Sequence, residues 1–485
     1  MTSTPETLAP PSIPGPVERV PFFEAQRRHR RGSLVLTALC ALTVLAMGGA
    51  AAVLATPAVV VTLAIALGAA RLVLPLPQAL WAPIEGYMDA YGIALAGEPG
   101  EMGRLAAAVV VLAPGVVVAL VVWLALWRWL LASGVDGMVH ALGARELRPG
   151  DLEERQLANV ASEVAVACGV RAPRVLLVDG AAANAGVIGT SPDDATVVVA
   201  RRLLDELDRA ETQAVVAHLV GSAANGDLRG SLLLVSVFQT MSVVLTLLDA
   251  PMSAPARAAL REVWTKVWRR RAADPADVER VARVLAERFD AGTMDEVTRF
   301  LDFESARGIR RPLKLARAML FLPLALFGTL AKVLVLLTVL FVLGPLLALA
   351  LRSRRYLADA TAVELTRNPD ALARALTDLA ARGGVIDAGR WLEHLFIVGP
   401  EAVSARLAAA HAQALQQLAT AHAEAPLFER ALRTWEDAAR LAREHGERHE
   451  KAHAGGFARR HGIVVALHPT LERRIARLAA LGARR

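Results

Sequence analysis

Long uncharged runs alternate with polar stretches along this chain, and several of the runs have lengths that suit a bilayer. Ser33–Leu54 and Leu105–Leu131 are each long enough to span the hydrocarbon core, which takes about 20 helical residues. Ala58–Leu74 is shorter and holds Arg71, so it is either a re-entrant segment or the continuation of a tilted helix past Pro57. Ser231–Leu248 is apolar again. Leu315–Ala350 is nearly all apolar over 36 residues with Lys332 near its middle, which predicts a hairpin, or one span plus a surface helix. Between these runs, the segment DLEERQLANVASEVAVACGV has apolar residues at helical spacing behind an Asp, and PRVLLVD and TVVVA read as short strands. The stretch RRLLDELDRAETQAVVAHLVGSAANGDLRG predicts a helix, a break near Asp208 and a second helix. The fold class is therefore α+β and mostly α: transmembrane helices with a soluble domain that holds a small β-sheet. The expected layout is a disordered basic N-terminus over 1–32 and an N-terminal transmembrane region over 33–131. The first part of the soluble domain covers 132–230. Apolar membrane segments cover 231–350 around a charged helical insert at 250–314, and the second part of the domain with a helical C-terminus covers 351–485.

Charge adds orientation. The run RRHRR precedes the first span, while the loop from Leu76 to Arg104 holds four acids (Glu85, Asp89, Glu98, Glu101) and one basic residue. The bias of Lys and Arg toward the cytoplasm puts the first inside and the second outside. The insert 250–314, with fourteen Lys/Arg against ten acids, belongs inside by the same rule, which conflicts with Ser231–Leu248 being a simple span. Composition agrees with a membrane protein: 54% of residues are hydrophobic and the mean hydropathy is +0.40. Abundant Ala, Arg, Leu and Val give a high-GC bacterial character. The net charge of +7 is explained by basic cytoplasmic loops, and no basic stripe with interleaved aromatics points to nucleic acid. Cys40 and Cys168 lie in an apolar run and a helix-like segment, and neither has a neighbour at ligand spacing. Lys332 reads equally as a functional intramembrane charge and as a side chain snorkelling from a hairpin turn.

The segment ETQAVVAHLVGSAANGD resembles the active-site helix of the HtpX-like membrane zinc metallopeptidases, which are gluzincins. In that family the helix carries H-E-x-x-H: two His one turn apart bind zinc and the Glu is the general base. Other segments carry the resemblance in the same order and spacing. They are FFEAQRRHRR, LEERQLANVASEVAVACGVRAPRVLLVD, NAGVIGTSPDDATVVVARRLLDEL, RRYLADATAVELTRNPDALARAL, HLFIVGP and LHPTLERRIARL. Together they cover roughly two thirds of the chain. The resemblance implies a gluzincin-like domain facing the cytoplasm on a multi-pass protein of the bacterial inner membrane.

The departures fall on the metal site. His218 stands at the first ligand position, Leu219 at the general base, Ser222 at the second ligand and Arg355 at the third, where the family has Glu. Asn184, Asn225, Asp227, Tyr356, Asp359 and His468 persist around that vestigial cleft. A catalytic zinc needs three protein ligands and an open position. One imidazole, a hydroxyl and a fixed positive charge do not supply them, and a leucine takes no proton from water. The reading is a pseudopeptidase without a zinc cofactor and without catalytic residues. It binds membrane-protein or peptide clients, or an active paralogue, in a binding or regulatory role such as membrane-protein quality control. Two others stand beside it: an active zinc metalloendopeptidase with displaced ligands, and a structural membrane scaffold. Arg355 is expected to fill the vacated site and pair with Asp359 or Asp227. Asp359 and Asp227 read as capping or salt-bridging groups, and His218 and His468 as structural histidines. A retained groove beside the strand TVVVA, where gluzincin-type clefts take substrate by strand addition, would favour the binding role over the bare scaffold. His445, His449 and His453 share one helix face at a spacing that can bind metal, against the plainer reading of a solvated, alternately charged face.

Overall fold

The computed structural model describes residues 22–96, 100–133, 135–180, 182–268, 274–290, 310–382, 392–399 and 468–482. Helix α1 (Phe22–Arg71) runs through Pro57 without a break, so the stretch after Pro57 continues the first helix and does not re-enter. The following loop is not bare. It contains α2 (Ala82–Ala96), which lies back along α1 and donates a hydrogen bond from Tyr91 to the Val53 carbonyl at 3.3 Å. Helix α3 (Gly100–Ser133) then returns beside α1. The two meet backbone to backbone at Gly48 and Gly115, where a Cβ on Gly48 would stand 2.7 Å from the Gly115 carbonyl oxygen. Small residues at such a crossing are how apolar helices approach closely in lipid.

A short helix α4 (Asp136–Ala141) leads into the soluble domain: β1 (Arg145–Glu146), α5 (Leu152–Cys168), β2 (Arg174–Val178), β3 (Ala185–Ile188), β4 (Thr196–Ala200), α6 (Arg201–Glu206) and α7 (Arg209–Ala224). Asp151 caps α5 through the Glu153 and Glu154 amides, and Asp208 with Glu211 forms a full capping box on α7, which accounts for the break expected near Asp208. The second break, at Gly226 with φ 75°, was not expected and separates α7 from α8 (Asp227–Asp249).

The sheet order is β1-β2-β4-β3, with β2 and β4 parallel and the outer pairs antiparallel. Strand alternation sends Val175, Leu177, Val197 and Val199 to one face, against α5 and α7. It sends Leu176 and Val198 to the other, against the end of α3, α4 and α8. That second face also receives Val278 and Val281 of α10 (Pro275–Asp290), which follows α9 (Ala254–Trp268). The described part of the charged insert is thus built into the soluble domain. The strand TVVVA is central, not an edge. The edge next to it is β3, whose Gly186 bridges to Phe396 and whose Ala185 carbonyl accepts from the Ile397 amide at 2.8 Å. The chain's own 395–398 segment therefore occupies the position expected for a client strand.

Leu315–Ala350 is neither a hairpin nor a span with a separate surface helix. Helix α11 (Arg310–Thr338) and α12 (Gly344–Thr366) are joined by a π-helical stretch, Val339–Leu343, into one rod. The π stretch stands directly before Gly344–Pro345, and such a bulge is where a helix takes in a proline that has no N–H for the preceding turn. Lys332 sits at no turn; its Nζ lies 2.7 Å from Asp249 Oδ2, inside the bundle. At the other end of the same antiparallel helix pair, Arg354 pairs with Asp227. The two acids are 22 residues apart on α8, and their partners are 22 residues apart on the rod. Helices α13 (Pro369–Arg382) and α14 (Leu471–Gly482) complete the domain. Among the described residues, four helical stretches are long and apolar enough to cross a membrane: Leu34–Arg71, Met102–Ala132, Asp227–Asp249 and Leu320–Thr366.

Candidate vestigial metallopeptidase site

Helix α7 crosses α12 closely at Gly221, where a Cβ would stand 2.9 Å from Thr361 Cγ2. This contact puts the two helices that carry the family positions side by side. His218 is fully buried, and its Nδ1 lies 2.9 Å from Asp359 Oδ1. Asp359 also accepts two guanidinium bonds from Arg474 of α14, at 2.9 and 2.6 Å, and Arg474 donates to the Ile397 carbonyl at 2.7 Å. Burial lowers the pKa of His218 and outweighs the opposing pull of Asp359. The neutral ring is the form that suits this position. Its Nε2 has no hydrogen-bond partner among the described residues.

Leu219 is part of the apolar core, 1% exposed. The Ser222 hydroxyl donates to Asp227 at 2.8 Å, so its proton is committed to a carboxylate. Arg355 does not pair with Asp359 or Asp227 as expected. Its guanidinium donates to the His394 carbonyl at 2.5 Å, and both carboxylates are taken by other arginines, Asp359 by Arg474 and Asp227 by Arg354. Neither arginine stood out in the sequence. Arg474 belongs to the matched element LHPTLERRIARL, and Arg354 neighbours Arg355, but no spacing rule joins either to its acid. His394 in turn holds the Ser231 carbonyl through Nε2 at 3.1 Å. Leu219, Ser222, Asp227, Arg355 and His394 line one small pocket of about 30 Å³.

The other persisting residues serve the frame. Asn184 donates to the Val398 carbonyl at 2.8 Å and so pins the 395–398 segment to the sheet edge. Asn225 ends α7 and donates to Thr361 at 3.0 Å, bracing the α7–α12 crossing. Tyr356 lies under the Arg477 guanidinium, 3.8 Å from its ring centre. His468 is buried just before α14. His445, His449 and His453 lie outside the described residues.

Among the described residues, no three His, Cys, Asp or Glu side chains come together as metal ligands. The group that the resemblance would bring is a catalytic zinc, and the donor set at its position does not fit one. One imidazole, with Nε2 open and Nδ1 on Asp359 in the manner of a metal histidine, cannot hold a zinc alone; the hydroxyl is spent on Asp227, and a guanidinium stands in place of the third ligand.

The sequence matches the model of peptidase family M48 over residues 151–288, from the start of α5 to α10. Among curated proteins, a Protease HtpX homolog of Listeria monocytogenes serotype 4b is 26% identical over 289 residues, 56% of this chain and 77% of the relative. The Protease HtpX homolog of Ligilactobacillus salivarius is 25% identical over 59% of this chain and 77% of its own, and that of Limosilactobacillus fermentum 28% over 55% and 70%. No solved structure matches. The matched segment contains the whole α5–α7 scaffold, and the apolar helices around it make a multi-pass membrane protein; the chain is similar, over that segment and its flanks, to the HtpX-type membrane proteases of peptidase family M48.

Proposed function

We propose that this chain is a pseudopeptidase: a membrane-anchored member of a protease family that binds or regulates and does not hydrolyse. The reading is carried by one observation. At the four positions where the family resemblance puts two His and two Glu, only His218 is a zinc-ligand type, while Arg355 lines one pocket with Leu219 and Ser222. A guanidinium stays charged under all ordinary conditions and opposes a dication. Leu219 offers no basic atom to activate water. The frame that would position those groups is intact, down to the buried His218–Asp359–Arg474 chain, which supports a kept binding role over a bare scaffold. The binding role is directed at clients or an active paralogue, with the soluble domain on the cytoplasmic side of the inner membrane.

The test is metal content of the purified full-length chain by elemental mass spectrometry after a mild chelator wash, with proteolysis of an unfolded membrane substrate assayed in parallel. About 0.1 zinc per chain or less, with no cleavage, is expected, because a formed catalytic site holds zinc tightly. Stoichiometric zinc that survives the wash would overturn the reading. The triple variant Leu219→Glu, Ser222→His, Arg355→Glu should recover zinc binding, since the scaffold that would hold the ligands is present.

A further inference from the structure

Helix α8 leaves the soluble domain, and the chain returns to that domain two helices later. Leu228 at the start of α8 belongs to the core beneath α7, α9 packs against α8 and α3, and α10 packs on α4, where a Cβ on Gly137 would stand 2.5 Å from Val278. Among the four apolar helical stretches, the one in α8 is enclosed by protein: 78% of it is buried, against 17, 22 and 29% for the others. Helix α9 is part of that enclosure and has an outer face. Ala256, Ala259 and Val263 are its buried side. Glu262 and Lys266 are tied to α10, by Arg280 at 3.7 Å and by Asp277 at 2.5 Å, and Arg257 donates to the Ala250 carbonyl at 2.7 Å. A stripe at helical spacing remains outside: Arg261, Trp264 and Trp268. The two indoles are 59% and 53% exposed and stack nearly parallel with their centres 4.5 Å apart. Arg261 is exposed and makes no ion pair among the described residues.

Neither bulk phase suits this stripe. In water, two indoles side by side leave a large apolar area bare. In hydrocarbon, a fifteen-residue helix with four charged side chains (Arg257, Arg261, Glu262, Lys266) is too costly. The headgroup layer of a bilayer accommodates both, with the indole bodies against acyl chains and their N–H groups and the guanidinium on phosphates and esters. The stripe also adjoins a surface that already faces lipid, since α9 packs beside α3, the least buried of the apolar helices. The sequence directly after Trp268 reads Arg269, Arg270, Arg271, so the charge next to the indoles is positive.

We propose that Arg261, Trp264 and Trp268 form a membrane-surface anchor, seated in the headgroup layer of the leaflet nearest the soluble domain and selective for anionic lipid. The guanidinium takes the lipid phosphate as a charge-assisted, bidentate partner. The anchor holds α9, and through it the α8–α10 side of the domain, at a fixed level on the bilayer. It stands whether or not the zinc site is dead.

The experiment uses the full-length chain reconstituted in vesicles of phosphatidylcholine and phosphatidylglycerol. Tryptophan fluorescence is quenched from the lipid side by brominated acyl chains and from the water side by iodide. The share of the stacked pair is the difference between the wild type and the variant Trp264→Phe with Trp268→Phe, a conservative change whose folding is checked by circular dichroism and gel filtration. The pair should be quenched by brominated lipid and shielded from iodide. Brominated phosphatidylglycerol should quench it more than brominated phosphatidylcholine at equal mole fraction, and Arg261→Gln should lower that preference by up to about fivefold, the share of one basic side chain at an anionic surface. Quenching of the pair by iodide and not by brominated lipid would put the stripe in water and overturn the proposal. Shielding from both quenchers would mean that protein covers it, a second copy or a partner, and would overturn the proposal as well. Equal quenching by the two brominated lipids, or a preference untouched by Arg261→Gln, would overturn the selectivity for anionic lipid.

Discussion

At the scale of the residue, charge pairing organises both the site and the domain around it. Asp359 neutralises a guanidinium that is 3% exposed and also orients His218. Asp359→Asn would leave Arg474 buried without its counter-charge, a change that costs about 3–5 kcal/mol, a large part of the ~5–15 kcal/mol that holds a typical domain. The unfolding midpoint in detergent should drop accordingly; a drop of under about 1 kcal/mol would mean that Arg474 is compensated from elsewhere. Glu154, fully buried, takes two bonds from Arg145 at 2.8 and 3.1 Å and the Arg148 amide at 2.6 Å. The hydrogen bonds from Arg145 hold its carboxyl below the ordinary carboxylate range. Its pKa is then lower in the folded than in the unfolded chain, so its stabilisation is complete above the unfolded value of about 4.3 and is lost as pH falls through the folded one. Thermal midpoints followed below about pH 5 should fall more steeply for the wild type than for Glu154→Gln, which starts lower; parallel curves would remove this carboxyl from the acid sensitivity. Residues 218, 222 and 355 stood out in the sequence because they lie in short segments with fixed internal spacing. Arg474 did not, because it meets Asp359 across 115 residues, and nothing local in LERRIARL marks which arginine turns inward.

At the scale of the element, hydropathy located the membrane helices but not how they turn. An apolar run records that a segment is shielded from water, and a rod and a hairpin are equally shielded. The rod at 310–366 follows instead from a π turn that accommodates Gly344–Pro345 and from a buried partner for Lys332. The strand TVVVA was readable as a strand but not as the central one, since all five of its residues and all four of β3 are buried and neither shows which side lies at the edge. The Asp249–Lys332 pair invites a double-mutant cycle. Asp249→Leu alone strands a lysine inside the bundle and should cost about 3–5 kcal/mol, whereas Asp249→Leu with Lys332→Leu should recover most of it. Equal losses in the single and double variants would show that the lysine finds another partner.

At the scale of the molecule, two apolar cores, one on each side of the sheet, join stretches that are far apart in sequence. One side of the sheet is packed by α5, α7, α13 and α14, so residues 157–228 and 362–398 close on each other with Leu478 of the last helix. The other side takes in the described part of the insert that charge alone had assigned only to a compartment. The whole-chain resemblance was visible because its segments kept their order; the closure was not, because hydrophobicity says that a face is buried and not which distant face buries it. The two ion pairs that tie α8 to the rod carry a last consequence. Twenty-two residues of helix rise about 33 Å, so the two pairs rivet α8 to the rod at both ends. With both ends fastened, the two helices tilt only as one body, and a tilt of the rod is passed on to the sheet face that α8 packs. Opening one rivet by Asp249→Leu with Lys332→Leu should raise amide hydrogen exchange first at the Asp249 end of α8. Unchanged protection at that end would mean that packing alone holds the pair together.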